Sequence, residues 1–177
     1  MTRPDEAIWV LRAQCGDREA LERLLLDVQP VLRRYVASLV GPADAEDLAQ
    51  EALLQIYRKL AWLRAPELFR PWALRIANRL AFRHLKRKRR LPREVGEQAL
   101  DTIPAAAEPP TASELAAIPA IAGVSPASRA VLNLHFQHDL TLAEVAVVLD
   151  IPLGTVRSRL AYGLAVLRRL LQEKRST

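Results

Sequence analysis

The chain has 177 residues, 26 Lys and Arg against 20 Asp and Glu, a formal charge of +6, and a half-hydrophobic composition, which excludes a disordered chain and suits one ordinary domain or two small ones. Its single cysteine, Cys15, excludes an internal disulfide framework and a Cys-rich zinc site, so the expected compartment is the reducing cytoplasm. Acids at Asp5 and Glu6 stand where a signal peptide has an apolar run, and no apolar stretch approaches bilayer-spanning length, so neither secretion nor membrane insertion is expected.

Apolar residues recur at helical spacing almost throughout, and no stretch alternates β-branched with polar residues, so the expected fold class is all-α. A first helix near Asp5 to Cys15 ends at Gly16. Asp17 is placed to cap the next, which runs to about Val40 with Pro30 as a kink, and Gly41-Pro42 is the break. A third helix starts near Asp44 and continues to about Trp62, with Ala45, Leu48, Ala52 and Ile56 on one side. After a loop around Ala65-Pro66, a fourth runs from about Phe69 into the basic tract Lys86-Arg87-Lys88-Arg89-Arg90. Residues 94–124, with Pro104, Pro109, Pro110 and Pro119 among small residues and acids, read as a linker. Ser125-Pro126 restarts helix, Ser as N-cap and Pro in the first turn. Two small helical domains are therefore expected, residues 1–93 and 125–177.

Thr141-Leu142-Ala143-Glu144 has the spacing of a capping box and opens a short helix to about Leu149. Asp150-Ile151-Pro152 follows as a turn, Asp tolerating a left-handed conformation, and Leu153 to Leu160 begins another helix. Ala146 permits a close crossing, and Val145, Leu149, Val156 and Leu160 supply packing. This is a helix-turn-helix, whose second helix enters a major groove with its N-terminal half, or else an αα-hairpin packed in a bundle. Thr155, Arg157, Ser158, Arg159 and Tyr162 are its candidate DNA contacts; Gly163 is expected to weaken the helix.

Charge is unevenly distributed. Residues 63–93 hold 11 basic groups and one acid, whereas residues 94–124 hold five acids and no base. Such a concentrated positive field is either a solvated basic face or a surface for a polyanion, and its place on an amphipathic helix, with a second basic helix near the C-terminus, points to nucleic acid, whose phosphates release condensed counterions when Lys and Arg neutralise them. Arg75, Arg79, Arg83, Lys86 and Arg90 step by three and four residues along one helical face, with Arg87 beside them. His84 is expected to join this tract. On the preceding helix Asp44, Asp47 and Glu51 form an acidic stripe, either a surface for a basic partner or a solvated face with Asp44 as a cap.

Three segments together resemble a family. Asp44-Ala45-Glu46-Asp47-Leu48-Ala49-Gln50-Glu51 is similar to the core-polymerase-binding signature of bacterial sigma factors. Phe69-Arg70-Pro71-Trp72-Ala73-Leu74-Arg75-Ile76-Ala77 resembles the start of their promoter-melting and -10 recognition helix, and Ile151 to Leu160 resembles their -35 recognition domain. Order and length resemble the extracytoplasmic-function group of the sigma-70 family. The resemblance implies core RNA polymerase and promoter DNA as partners, an anti-sigma factor as regulator, and a linker that threads a basic channel of the polymerase. It gives core binding to Asp44, Asp47, Gln50 and Glu51. It gives the -10 element to Phe69, Trp72, Arg75, Arg79, Arg83, Lys86, Arg87 and Arg90, and a flipped base to the loop from Leu63 to Leu68. Phe69 and Trp72 are stacking candidates, core packing being the alternative. The chain departs from the family pattern at Asn78-Arg79, where many relatives have Arg-Asn, at Arg83, where they have an acid, and at Ala161-Tyr162-Gly163, where they are more basic.

No enzyme emerges from the sequence. His135 and His138 are three apart without a Cys or carboxylate-rich partner motif, so polar surface or interdomain contacts are expected of them, and no cofactor is expected. No Gly-rich phosphate loop is present. Two other readings remain, a stand-alone helix-turn-helix regulator and a sigma-like adaptor that titrates a partner. The first leaves the acidic stripe and basic helix together unexplained.

Overall fold

The structure, a computed structural model, describes residues 4–88 and 123–175. The chain divides between Arg87 and Lys88 into two compact units. The described residues are helical, with no β-strand among them.

In the first unit α1 (Pro4–Gln14) gives way to α2 (Arg18–Val40) through Asp17. Its Oδ1 accepts the Ala20 backbone N–H at 3.0 Å and its Oδ2 accepts Arg12 Nε at 2.7 Å. The backbone bond first, and the guanidinium second, hold the Asp17 carboxyl below its ordinary pKa. Leu24, Val28, Leu32, Tyr35, Val36 and Leu39 then recur at three- and four-residue steps, and α2 buries this stripe against its neighbours. Pro30 does not end the helix. It is exposed, as is Leu26 one turn earlier, so the lost backbone hydrogen bond falls on the solvent side.

The third helix, α3 (Pro42–Lys59), starts two residues before the expected Asp44. Gly41, at φ +92°, turns the chain between α2 and α3 in a conformation that disfavours any side chain, and Pro42 supplies a preset φ at the helix start. After Lys59 the expected helical continuation tightens into a 3-10 turn, Leu60–Trp62, and a second follows at Pro66–Leu68. Both pack against α1. Next comes α4 (Phe69–Lys88), which buries Phe69, Ala73, Leu74, Ile76, Ala77, Leu80 and Ala81. Asn78 is buried with them, its Oδ1 accepting the Tyr35 hydroxyl at 2.8 Å. Arg90 and residues 94–122 of the expected linker lie outside the described residues.

The second unit contains α5 (Pro126–Phe136), α6 (Leu142–Leu149) and α7 (Leu153–Arg175). Ser125 caps α5 by accepting the Ser128 N–H at 3.2 Å. A cluster of Val124, Leu132, Leu164 and Leu167 joins α5 to α7. Gly163, expected to weaken α7, is buried in an unbroken helix. A Cβ there would lie 2.9 Å from Leu132 Cδ1, so the glycine allows α5 and α7 to approach closely.

Candidate functional site

Three surfaces carry the expected residues. The first is the edge of α3, where Asp47, Gln50 and Glu51 are exposed and Ala45, Leu48, Ala49, Ala52 and Ile56 are buried. Asp44 departs from the expected stripe. It is partly buried, and its Oδ2 lies 3.3 Å from His84 Nε2 on α4. The first turn of α3 therefore faces α4 there, and His84 is drawn out of the basic tract to meet it. Beyond the acids, the outward edge continues through Leu54 and Tyr57, both more than half exposed. Sequence reasoning missed these two. The signal was available, since 47, 50, 54 and 57 advance by three and four residues.

The second surface is α4. Arg79, Arg83, Lys86 and Arg87 are exposed, as is the adjacent Lys88, while Arg75 is partly buried. Phe69 requires a correction. Its side chain is fully buried, so it packs the core and has no face to offer a base. Trp72 is partly exposed, its ring centroid 6.2 Å from that of Phe69 at an interplanar angle of 40°, and is the aromatic of this pair that solvent reaches. The Asn78-Arg79 departure also has a structural reading: the amide serves the buried Tyr35 hydroxyl, and the guanidinium stands outside. Between α3 and α4, Trp62 is 75% exposed at the end of its 3-10 turn, which sequence reading had absorbed into a helix.

The third surface is the helix-turn-helix. Thr141 Oγ1 accepts the Glu144 N–H at 3.2 Å, and Glu144 Oε2 accepts the Thr141 N–H at 2.8 Å, completing the capping box. Asp150 closes α6 in the left-handed region at φ 60°. Val145, Val148 and Val156 pack the pair of helices. At the start of α7, Arg157 and Tyr162 are exposed, and Thr155, Ser158 and Arg159 are partly so. Ser158 Oγ donates to the Gly154 carbonyl at 3.1 Å, which leaves the hydroxyl as an acceptor for a ligand. Two residues apart on a helix, Arg157 and Arg159 point about 160° away from each other. They flank the outward face and cannot both grip one base pair.

His135 Nδ1 lies 2.7 Å from the Leu140 carbonyl and so acts as the donor, while its ring packs against Phe136 with centroids 4.6 Å apart at an interplanar angle of 55°. It closes the α5–α6 connection within the unit. Among the described residues no group of three His, Cys, Asp or Glu is placed to hold a metal, and no helix is long and apolar enough to cross a membrane.

Residues 23–91 match Sigma-70 region 2, and residues 120–169 match Sigma-70, region 4. The chain is 29% identical to the RNA polymerase sigma-H factor of Pseudomonas aeruginosa, over 97% of this chain and 96% of that protein. It is 28% identical to the ECF RNA polymerase sigma-E factor of Escherichia coli, over 88% of each. Two solved structures share the fold. CnrH in complex with the cytosolic domain of CnrY has a TM-score of 0.65 at 20% identity, covering 95% of this chain and 97% of that one. The sigma factor RpoE in complex with the anti-sigma factor NepR from Bartonella quintana has a TM-score of 0.64 at 20% identity, covering 85% and 96%.

Proposed function

The chain belongs to the extracytoplasmic-function group of the sigma-70 family, and from that premise we propose how its surfaces divide the work of transcription initiation. It is an alternative sigma factor. Asp47, Gln50 and Glu51 on α3 dock core RNA polymerase, Asp44 standing at the inner margin of that surface. Leu54 and Tyr57 extend it with apolar area that water leaves on docking. The 1–93 domain reads and opens the -10 element, the 125–177 domain reads the -35 element, and residues 94–124 join them.

On the -10 side Arg75, Arg79, Arg83, Lys86, Arg87 and Arg90 attract phosphates, and Trp72 offers a stacking face at the edge of melted DNA. The loop from Leu63 to Leu68 takes a nontemplate base out of the stack, at a cost of a few kcal/mol that loop contacts offset. On the -35 side Arg157 and Arg159 straddle the groove, with Thr155, Ser158 and Tyr162 between and beside them. Phosphodiester chemistry stays with the polymerase, and the cytoplasm is the working compartment. An anti-sigma factor is the expected regulator, in keeping with the partner named for the Bartonella quintana neighbour.

One observation carries this reading. The two family matches follow each other in chain order, the first lying on the first compact unit up to its boundary at Arg87 and the second within the other unit, and the candidate contacts, Phe69 apart, reach solvent among the described residues. Run-off transcription with core polymerase and fragmented genomic DNA of the source bacterium tests it. Discrete new transcripts are expected, and Asp47→Lys with Glu51→Lys should abolish them together with core binding, while the isolated chain keeps its fold by circular dichroism. Undiminished transcription by that double variant would remove α3 from the docking surface. Core binding without any transcript would favour a titrating adaptor.

A further inference from the structure

The segment between α3 and α4 is held at both ends by α1, a helix that precedes the residues matched to region 2. At one end Gln14 Nε2 donates to two backbone carbonyls, Leu60 O and Leu63 O, each at 2.8 Å. At the other, Glu6 Oε1 accepts Arg70 Nε at 2.7 Å, with the Glu6 side chain 7% exposed. Glu6, Val10 and Gln14 lie at i, i+4 and i+8 and share one face of α1, so the two polar pins stand about 12 Å apart along the axis with a fully buried valine between them. Trp62, Arg64, Glu67 and Leu68 are exposed between the pins.

We propose that Gln14 and Glu6 are positioning residues that splint the 60–70 segment in the shape that receives an unstacked nontemplate base, so that α1 sets the rate of promoter opening. This rests on the assignment of base capture to the Leu63 to Leu68 loop. A single carboxamide bridging the carbonyl of the first residue of a 3-10 turn and that of the residue closing it fixes the turn against the helix. A buried carboxylate fixes the far end through a charge-assisted bond. A loop fixed in advance loses less freedom when the base arrives, and misplacement by a fraction of an ångström weakens capture. Neither pin touches the exposed edge of α3, so core docking should be independent of both.

Gln14→Glu tests this, because it keeps the side-chain shape and sets a carboxylate oxygen against the two carbonyls. The full-length protein is assembled with core polymerase on a promoter recovered by the run-off experiment, and opening is followed by a fluorescent base analogue in the nontemplate -10 strand. Opening is expected to slow about tenfold. Core affinity should stay at the value of a charge-matched Gln29→Glu control, and the variant should remain folded by circular dichroism at the assay temperature although its melting temperature falls by several degrees. On templates made abasic at the captured position, wild type should slow and Gln14→Glu should add nothing further. Glu6→Gln, judged against an exposed Glu22→Gln control of the same charge change, should give the same pattern and carries the test if Gln14→Glu does not fold. Unchanged opening overturns the proposal, as does an equal penalty on intact and abasic templates or a parallel fall in core affinity. A wild-type protein indifferent to base removal at every -10 position would instead refute base capture by the loop, and the proposal with it.

Discussion

Tyr35 and Asn78 show how one buried bond sets the surface beside it. The Tyr35 hydroxyl is fully enclosed and uses Asn78 Oδ1 as its acceptor, so the amide is committed inward and the next residue, Arg79, is carried outward. Tyr35→Phe should cost about 1 to 3 kcal/mol by leaving that oxygen unsatisfied, measurable by urea unfolding. Burial also raises the phenol above its ordinary pKa of 10.0. Above pH 10 the unfolded chain releases a proton that the folded chain retains, so wild-type stability is intact below that pH and falls as pH rises past it. Tyr35→Phe should lack the contribution of this residue to the alkaline fall, and an unchanged slope would show another group to be responsible.

Helix pairs are governed by where they can approach. In the second unit α7 crosses α5 at Gly163, where an added Cβ would meet Leu132 Cδ1 at 2.9 Å, Leu132 Cγ at 3.2 Å and Ser128 Cβ at 3.4 Å. Helix propensity alone favours alanine at such a site by about 1 kcal/mol. Leu132 is fully buried and three atoms of α5 crowd the position, so overpacking of about 1 to 3 kcal/mol should outweigh that gain. Gly163→Ala is therefore expected to lower stability and to speed hydrogen exchange in α5 and α7. Slower exchange would show that Leu132 rotates aside cheaply. The capping box and the left-handed Asp150 impose no such crowding; they determine where α6 starts and stops.

At the scale of the molecule, α3 presents the exposed carboxylates Glu46, Asp47 and Glu51 ahead of two bases in its last turn, whereas α4 carries guanidinium and ammonium groups and no acid. That sorting separates the two binding steps. Core docking should follow the α3 charges, whereas promoter affinity should weaken with salt in proportion to the phosphates that α4 and α7 neutralise. Replacing Arg79, Arg83 and Lys86 by alanine together should reduce the slope of log affinity against log salt by about 2 to 3. Filter binding of the polymerase complex at several salt concentrations measures it. A slope unchanged by the triple substitution would show that this face does not meet phosphate.

Helical class, two units, both caps of the helix-turn-helix and the basic face were legible in the sequence, because each depends on residues within a few positions of one another. Asp17, Ser125, Thr141 with Glu144, and Asp150 act on their own or nearby backbone, and a three-to-four-residue period alone reveals which side of a helix is apolar. What tertiary packing decided was different in kind. Phe69 and Trp72 sit in one helical turn with the same chemistry, yet the first is core and the second reaches solvent. Asp44 continues an acidic stripe in the sequence and faces His84, forty residues away, in the fold. Gly163 reads as a weak point and is a point of close approach, while Gln14, unremarked in the sequence, and Glu6, noted there only as an acid near the start of the chain, hold a segment 46 to 64 residues distant. A local pattern specifies which residues share a face of a helix, but only the arrangement of helices specifies what that face meets.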